Sequence, residues 1–222
     1  MLSSFLIIML AFTLALFVVT RLIAEALIRH HHAQKCDFFR AFPVQPGDIV
    51  FLGDSLTDGA RWDEIFPDLP VKNRGINADT TQGVLQRLGD ILSGSPRALF
   101  ILIGTNDLPW FTYRSNSDIL ETYERILQRC RAESPQTQVF VQSLLPRARS
   151  FARRIRQLNL GLQALAERHG CVFVDLHPHF ADAHGALRGE LTNDNLHLMA
   201  KGYQIWADVV RPLLQRLNAE ES

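Results

Sequence analysis

The eight residues DIVFLGDS, at positions 48–55, decide the fold, because an unbroken apolar run ends abruptly in glycine, aspartate and serine. Such a run is typical of a strand that is buried on both faces, as strands of parallel sheets are. The abrupt polar end is typical of the turn that leaves the strand. The stretch therefore predicts a buried strand that delivers Ser55 to the edge of a sheet.

Four further strand candidates follow this first strand, and amphipathic stretches with helical spacing lie between them. The candidates are the shorter stretch VKNRG (71–75) and the apolar runs ALFILIGTND (98–107), QVFVQSLLP (138–146) and CVFVDL (171–176). Asp79 is a predicted N-cap, and Pro212 is expected to kink the last helix. Alternating strands and helices predict an α/β fold, in which helices cover both faces of a parallel five-stranded sheet.

The N-terminal segment differs from the rest, because Phe5 to Ile23 is apolar apart from Thr13, Thr20 and one charged residue, Arg21. As a helix this run is about 28 Å long, close to the ~30 Å hydrocarbon core of a bilayer. It predicts a transmembrane helix or a signal sequence. Because MLSS has no basic residue and the apolar run is long, an uncleaved anchor is favoured. We expect an anchor at 1–35, a hinge at 36–47 and the α/β domain at 48–222.

The side of the membrane that the domain faces is left open by the sequence. The basic residues around this segment, Arg21, Arg29, Lys35 and Arg40, lie at or after the end of the span, which under the positive-inside rule places the domain in the cytoplasm. Many secreted enzymes, however, also begin with an apolar segment. The prediction is therefore a single-pass membrane protein of undetermined sidedness.

Composition and missing motifs narrow the classes of function. The chain of 222 residues is 47% hydrophobic and 21% charged, and its 23 basic and 23 acidic residues balance. This composition is globular, and it gives no overall field to attract nucleic acid. The three cysteines form no CxxC pair, and no Gly-rich nucleotide-binding motif follows a strand. We therefore expect no metal, cofactor or nucleic-acid partner.

Residues with chemical uses lie where the predicted strands end, which is where ligands bind in such sheets. Ser55 at a strand-to-helix turn can present its hydroxyl as a nucleophile, and His197 is suited to take its proton. Asp194, three residues before His197, can orient the imidazole. The backbone N–H groups of Ser55 and Gly75 and the amide of Asn106 can stabilise a developing oxyanion.

Four motifs in order connect these residues to a known family. They are GDSLT (53–57), the lone Gly75, GTND (104–107) and DNLH (194–197). The chain resembles the SGNH hydrolases, or GDSL esterases and lipases, from about residue 48 to the last helix. The resemblance implies a flavodoxin-like three-layer α/β/α fold.

The same resemblance implies a set of roles. Ser55, Asp194 and His197 would be the catalytic triad, with an acyl-enzyme on Ser55, and Ser55, Gly75 and Asn106 the oxyanion hole. The stretch NRGINADTTQGVLQRL (73–88) also looks like the branch of platelet-activating-factor acetylhydrolase and bacterial acetylesterases. A carboxylic ester hydrolase is expected, acting on acetyl or short acyl esters or on lysophospholipid.

Residues around the motifs give weaker indications of substrate. Asp54, Trp62 and Trp110 are candidate substrate-binding residues, although the two tryptophans could equally cover the end of the sheet. RARSFARRIR (147–156) places Arg149, Arg153 and Arg156 on one helical face, which could meet anionic headgroups or simply be solvated.

Two other classes of function remain open at this point. One is a catalytically inactive SGNH fold that serves as a binding module, and the other is a membrane-tethered scaffold that uses the arginine face. Both predict that Ser55→Ala leaves function intact. The oligomeric state is open as well.

Overall fold

The computed structural model describes residues 2–109 and 112–219, the first seven of these by their backbone alone. It contains one parallel sheet in the order β2-β1-β3-β4-β5. The strands are β1 (Ile49–Gly53), β2 (Val71–Gly75), β3 (Ala98–Leu102), β4 (Gln138–Gln142) and β5 (Val172–Val174). The five predicted strands are confirmed, and their order is that of flavodoxin-like sheets.

Helices cover both faces of the sheet. The covering helices are α2 (Ser55–Asp58), α3 (Trp62–Ile65), α4 (Thr81–Arg87), α5 (Gly89–Leu92), α6 (Asn116–Glu133), α7 (Ala152–Arg168), α8 (His177–Phe180) and α9 (Ala200–Ala219), and the N-terminal helix α1 (Leu2–Ala41) precedes them. Val50 and Leu52 of β1 pack towards α4 to α7, whereas Ile49 and Phe51 pack towards α2, α3, α8 and α9. Because successive side chains of a strand point to opposite faces, both faces of β1 are buried. The three-layer α/β/α prediction is confirmed.

Two details of the helices differ from or refine the predictions. The N-cap of α4 is Thr80, whose hydroxyl accepts from the N–H of Gly83 at 3.2 Å, so the prediction of Asp79 was wrong. The Asp79 carboxylate instead accepts a 2.8 Å hydrogen bond from Nε of Arg87, and both side chains are buried. Helix α9 continues through Pro212 as one element.

Helix α1 is a single element of 40 residues. Its part from Met9 to Ala41 is long and apolar enough to cross a membrane, a test that a signal sequence also passes. Large apolar side chains along it are exposed, from Met9 to Ile28. The helix ends at Ala41, so it extends into the segment predicted as a hinge. Near that end, Cys36 and Phe39 are buried against Ile76 of the α/β domain.

Candidate active site

The structure brings Ser55, His197 and Asp194 together in one hydrogen-bonded chain. Nε2 of His197 lies 3.0 Å from Oγ of Ser55, a residue 142 positions away in sequence. Nδ1 of His197 lies 2.6 Å from Oδ2 of Asp194. Ser55 is the first residue of α2, directly after β1, as the sequence predicted.

The loop before α9 fixes Asp194 and His197 relative to each other. Oδ1 of Asp194 accepts from the backbone N–H groups of Leu196, at 2.9 Å, and His197, at 2.7 Å. The hydrogen bond from the His197 side chain, together with these N–H groups, lowers the pKa of Asp194 to about 2. The carboxylate is therefore ionised at neutral pH. It favours a proton on Nδ1 of His197, which leaves Nε2 free to accept from Ser55.

Asp54 shapes the turn that presents Ser55. Its Oδ1 accepts from the N–H of Leu56 at 3.0 Å and so caps α2. The side chain is fully buried, and burial raises its pKa to about 7. A buried carboxyl that caps the turn is not open to a substrate, so the structure corrects the predicted substrate-binding role of Asp54.

Asn73 of β2 holds α2 against the sheet. Its Nδ2 lies 3.0 to 3.1 Å from the carbonyl oxygens of Thr57, Asp58 and Ala60. Its Oδ1 accepts from the N–H of Gly75 at 2.9 Å. The predicted oxyanion donor at Gly75 is therefore already engaged, which is a correction to its expected role.

Gly75 has a steric role instead. A Cβ atom at this position would lie 2.2 Å from the backbone nitrogen of Asp58 and 2.8 Å from the carbonyl carbon of Thr57. Only glycine lets α2 approach β2 this closely, and α2 carries Ser55.

The loop after β2 supplies a different backbone donor, at Ala78. Among the described residues, neither its N–H nor that of Ser55 has a hydrogen-bond acceptor in the structure. Ala78 has a φ of +61°, a left-handed conformation that alanine seldom adopts. The sequence missed this residue because an alanine gives no signal of such a conformation.

Asn106 reaches the same loop from the end of β3. Its Nδ2 donates to the carbonyl oxygen of Asp79 at 2.9 Å, which leaves the second amide hydrogen available. Asp107 anchors the segment by accepting from the backbone N–H and hydroxyl of Thr81, at 3.0 and 2.8 Å. Arg147 donates to the carbonyl oxygen of Thr105 at 2.9 Å. Contacts with the Asp79 carbonyl, with Thr81 of α4 and with Arg147 therefore fix the segment that carries the Asn106 amide.

The side chain of Trp62 is not accessible for the predicted contact with substrate. It is 1% exposed and stacks on Phe51 with ring centroids 3.9 Å apart. Its Nε1 donates to the carbonyl oxygen of Thr57 at 3.0 Å, so it supports α2 from the core. The prediction for Trp62 was wrong, and Trp110 lies outside the described residues.

The arginine-rich stretch divides into two groups. Arg154 braces the loop after β3 by donating to the side chain of Asn116 and to the carbonyl oxygen of Leu108, both at 2.9 Å. Arg149, Arg153 and Arg156, the predicted face, lie on a short turn and on α7. In the part of the chain that the structure describes, no group of three His, Cys, Asp or Glu side chains could hold a metal ion.

We predict that Gly75→Ala destabilises the fold by roughly 1–3 kcal/mol, because the added methyl forces α2 away from β2. The measurement is the free energy of unfolding in urea. Gly189→Ala is the matched control, since a Cβ atom there has no neighbour within 4 Å. Equal stability of the two variants would show that the close approach of α2 is not maintained in solution.

Comparison with known proteins agrees with this geometry. The model of the GDSL-like Lipase/Acylhydrolase family matches residues 51–205. The platelet-activating factor acetylhydrolase IB subunit alpha1 of Homo sapiens is 32% identical over 184 residues, which cover 78% of each chain.

Solved structures share the fold. One from Streptococcus pneumonia, described as a platelet activating factor, superposes with a TM-score of 0.80 at 27% identity, covering 89% of this chain and 99% of its own. A GDSL-like lipase from Bacteroides thetaiotaomicron gives 0.74 at 23% identity, covering 82% and 97%. On the strength of the family match and the human relative, the chain belongs to the GDSL-like lipase/acylhydrolase family.

Proposed function

We propose that the protein is a serine esterase that hydrolyses carboxylic esters through an acyl-enzyme on Ser55. The observation that carries the proposal is the continuous chain from Ser55 through His197 to Asp194, at 3.0 and 2.6 Å. A serine hydroxyl is a poor nucleophile unless a base takes its proton, and this arrangement supplies an oriented base.

In the first half of the reaction, Oγ of Ser55 attacks the carbonyl carbon of the ester while its proton passes to Nε2 of His197. The bond from that carbon to the leaving alkoxy oxygen then breaks, and His197 gives its proton to the departing alcohol. The acyl group is left on Ser55. Asp194 stabilises the imidazolium that forms between these two proton transfers.

In the second half, water attacks the acyl carbon and gives its proton to Nε2 of His197. The bond between the acyl carbon and Oγ breaks, and the proton returns to Ser55. The carboxylic acid leaves, and the resting state is restored. No oxidant, reductant or metal enters either half of this scheme.

The oxyanion that forms in both halves needs hydrogen-bond donors aimed at it. We assign this role to the backbone N–H groups of Ser55 and Ala78 and to Nδ2 of Asn106. The free N–H groups and the spare amide hydrogen support this assignment. Gly75 contributes through the close packing of α2.

Asn106→Ala is expected to lower kcat by about 10²- to 10³-fold, the usual loss when one oxyanion donor is removed. KM should change much less, since the donor acts mainly on the transition state. The two constants are measured on a soluble ester, and the unfolding temperature checks that the loop remains folded. An unchanged kcat would remove Asn106 from the oxyanion hole.

The relatives suggest the size of the acyl group. Because the human relative is named an acetylhydrolase, we propose acetyl or short acyl esters first and lysophospholipid second. Hydrolysis of p-nitrophenyl esters from acetate to palmitate tests the proposal, with Ser55→Ala as the control. A preference for acetate selects the first substrate class, and a preference for palmitate selects the second. Absence of Ser55-dependent turnover at every chain length would refute the esterase.

Helix α1 supports a further part of the proposal, attachment to a membrane as a single-pass anchor. Its apolar side chains are exposed over a length that fits a bilayer. The mass of the protein isolated from cells tests retention, because a cleaved signal sequence would remove the segment. Protease accessibility of the domain in sealed membranes then assigns its side.

A further inference from the structure

We propose that the edge of the sheet carrying the active site faces the headgroup layer of the same bilayer that holds α1. In this arrangement α1 is a rigid helix that fixes the orientation of the domain, so that Ser55 and His197 face the membrane surface. The inference rests on the anchor role given to α1 in the proposed function. It concerns orientation, which the family match does not determine.

The contacts of α1 show which edge of the sheet it leaves. Nζ of Lys35 lies 2.5 Å from Oδ1 of Asp58, at the end of the short helix that begins with Ser55. Nε2 of His32 lies 3.7 Å from Oδ1 of Asp79, in the loop whose carbonyl accepts from Asn106. Both acids follow carboxyl ends of strands, so this part of α1 lies at the active-site edge.

The residues that follow in sequence run towards the opposite edge. The carbonyl oxygen of Phe42 accepts at 2.7 Å from Arg74, still near the carboxyl end of β2, whereas a Cβ at Gly94, just before β3 and so at the opposite edge, would lie 2.2 Å from the carbonyl oxygen of Val44. The chain therefore descends beside the sheet before it enters β1. From its C-terminal end towards its N-terminus, α1 passes the active-site edge, and its apolar part extends beyond that edge.

The junction is built to be stiff. Phe39 is buried and packs with Cys36 and Ile76. The guanidinium carbon of Arg74 lies over the ring of Phe39, 4.6 Å from the ring centroid. The first 42 residues contain no glycine or proline, so nothing in the helix favours a hinge. The helix is continuous from its apolar part to this docked part.

The length between these two parts sets the distance of the site from the membrane. From Ile23, the end of the apolar run, to Arg29 there are six residues, or about 9 Å of helix. The headgroup layer on each side of a bilayer is roughly 5–8 Å thick. A recess of about 380 Å³ between α1 and the domain is lined by Arg29 and His32 on one side and by Thr80 and Arg114 on the other. Thr80 and Arg114, at the rim of the active site, therefore lie at the outer boundary of the headgroup layer.

The exposed groups at this edge suit a headgroup layer. Tyr113, in the loop after β3, is 64% exposed, and Met199 beside the catalytic loop is exposed too. Aromatic residues favour the membrane interface, and arginines such as Arg114 favour anionic headgroups. The side chains of His197 and Asp194 are each 46% exposed, so the site is open to a flat surface.

The test places fluorophores at the two edges of the sheet in the full chain reconstituted into vesicles. Tyr113→Cys labels the active-site edge and Gln138→Cys, the exposed first residue of β4, labels the opposite edge. The background is Cys171→Ser, because the other two cysteines are buried. The edges are about 17 Å apart along a five-residue strand. With nitroxide on the lipid headgroups, we expect several-fold stronger quenching at position 113 than at 138.

Equal quenching at the two positions, stronger quenching at 138, or failure of the chain to insert would overturn the proposal. A second variant carries Gly-Gly-Ser-Gly inserted between Glu25 and Ala26, which makes α1 flexible between its apolar part and its docked part. It should lose the difference in quenching while hydrolysing soluble p-nitrophenyl acetate as before. A difference that persists would contradict the role of α1. Because quenching needs no turnover, failure of the esterase proposal would appear separately, as absent Ser55-dependent hydrolysis.

Discussion

Ser55→Ala is expected to reduce kcat for ester hydrolysis by roughly 10⁶-fold, the loss seen when the nucleophile of a protease triad is removed. The reason is that alanine has no oxygen to form the acyl bond, so His197 loses the proton donor that lies 3.0 Å from its Nε2. Residual hydrolysis would come from direct attack by water on the ester, with the oxyanion donors stabilising the negative charge that develops on the carbonyl oxygen. Substrate binding should be largely retained, because the surfaces that contact the substrate outside the reacting bond remain.

The matched control for this variant is Ser150→Ala, at an exposed serine in the short turn before α7. Its kcat should equal that of the unmodified chain. Both variants should unfold at similar temperatures, which separates loss of chemistry from loss of structure. If Ser55→Ala retained more than a small fraction of the rate, a different nucleophile or a direct attack by water would have to replace the acyl-enzyme.

Asp194→Asn is expected to reduce kcat by about 10⁴-fold, as the same change does in a serine protease triad. The amide can still accept from the N–H groups of Leu196 and His197 through its oxygen, so the loop should keep its shape. Its NH₂ group would now face Nδ1 of His197, which must then accept. The proton moves to Nε2, and that nitrogen can no longer take the proton of Ser55.

The control for Asp194→Asn is Asp208→Asn, at an exposed aspartate on α9. Removal of one exposed negative charge that contacts none of the triad residues should leave kcat unchanged. Steady-state kinetics on a soluble ester measure both variants. An Asp194→Asn variant within tenfold of the unmodified rate would mean that Asp194 does not set the tautomer of His197.

The fold could be predicted from the sequence because the buried strands carry a strong local pattern. The apolar run of β1 fits a strand buried on both faces, and the structure buries Ile49 to Leu52 completely. For the proposed triad, the sequence supplied the motifs GDSLT and DNLH, and the structure places Nε2 of His197 3.0 Å from Oγ of Ser55. The place of Ser55 follows from the carboxyl end of β1, because ligands bind at that edge of such sheets.

The details that sequence reasoning missed depend on side-chain direction and on long-range contacts. Trp62 follows the Ser55 turn closely, but its ring points into the core against Phe51. The N–H of Gly75 is taken by Asn73, two residues away, and a motif does not reveal such pairing. The left-handed conformation of Ala78 has no sequence signal either. The docking of α1 through Lys35 onto Asp58 joins residues far apart in the chain.

The central claim is that Ser55 is the nucleophile, and reaction with a fluorophosphonate tests it most directly. The intact protein is treated with the probe, its mass is measured, and the modified peptide is sequenced, while remaining esterase activity is followed in parallel. The account predicts one adduct per chain, on Ser55, with activity lost in proportion to labelling. An adduct on another residue, or full activity in a chain labelled completely at Ser55, would contradict it.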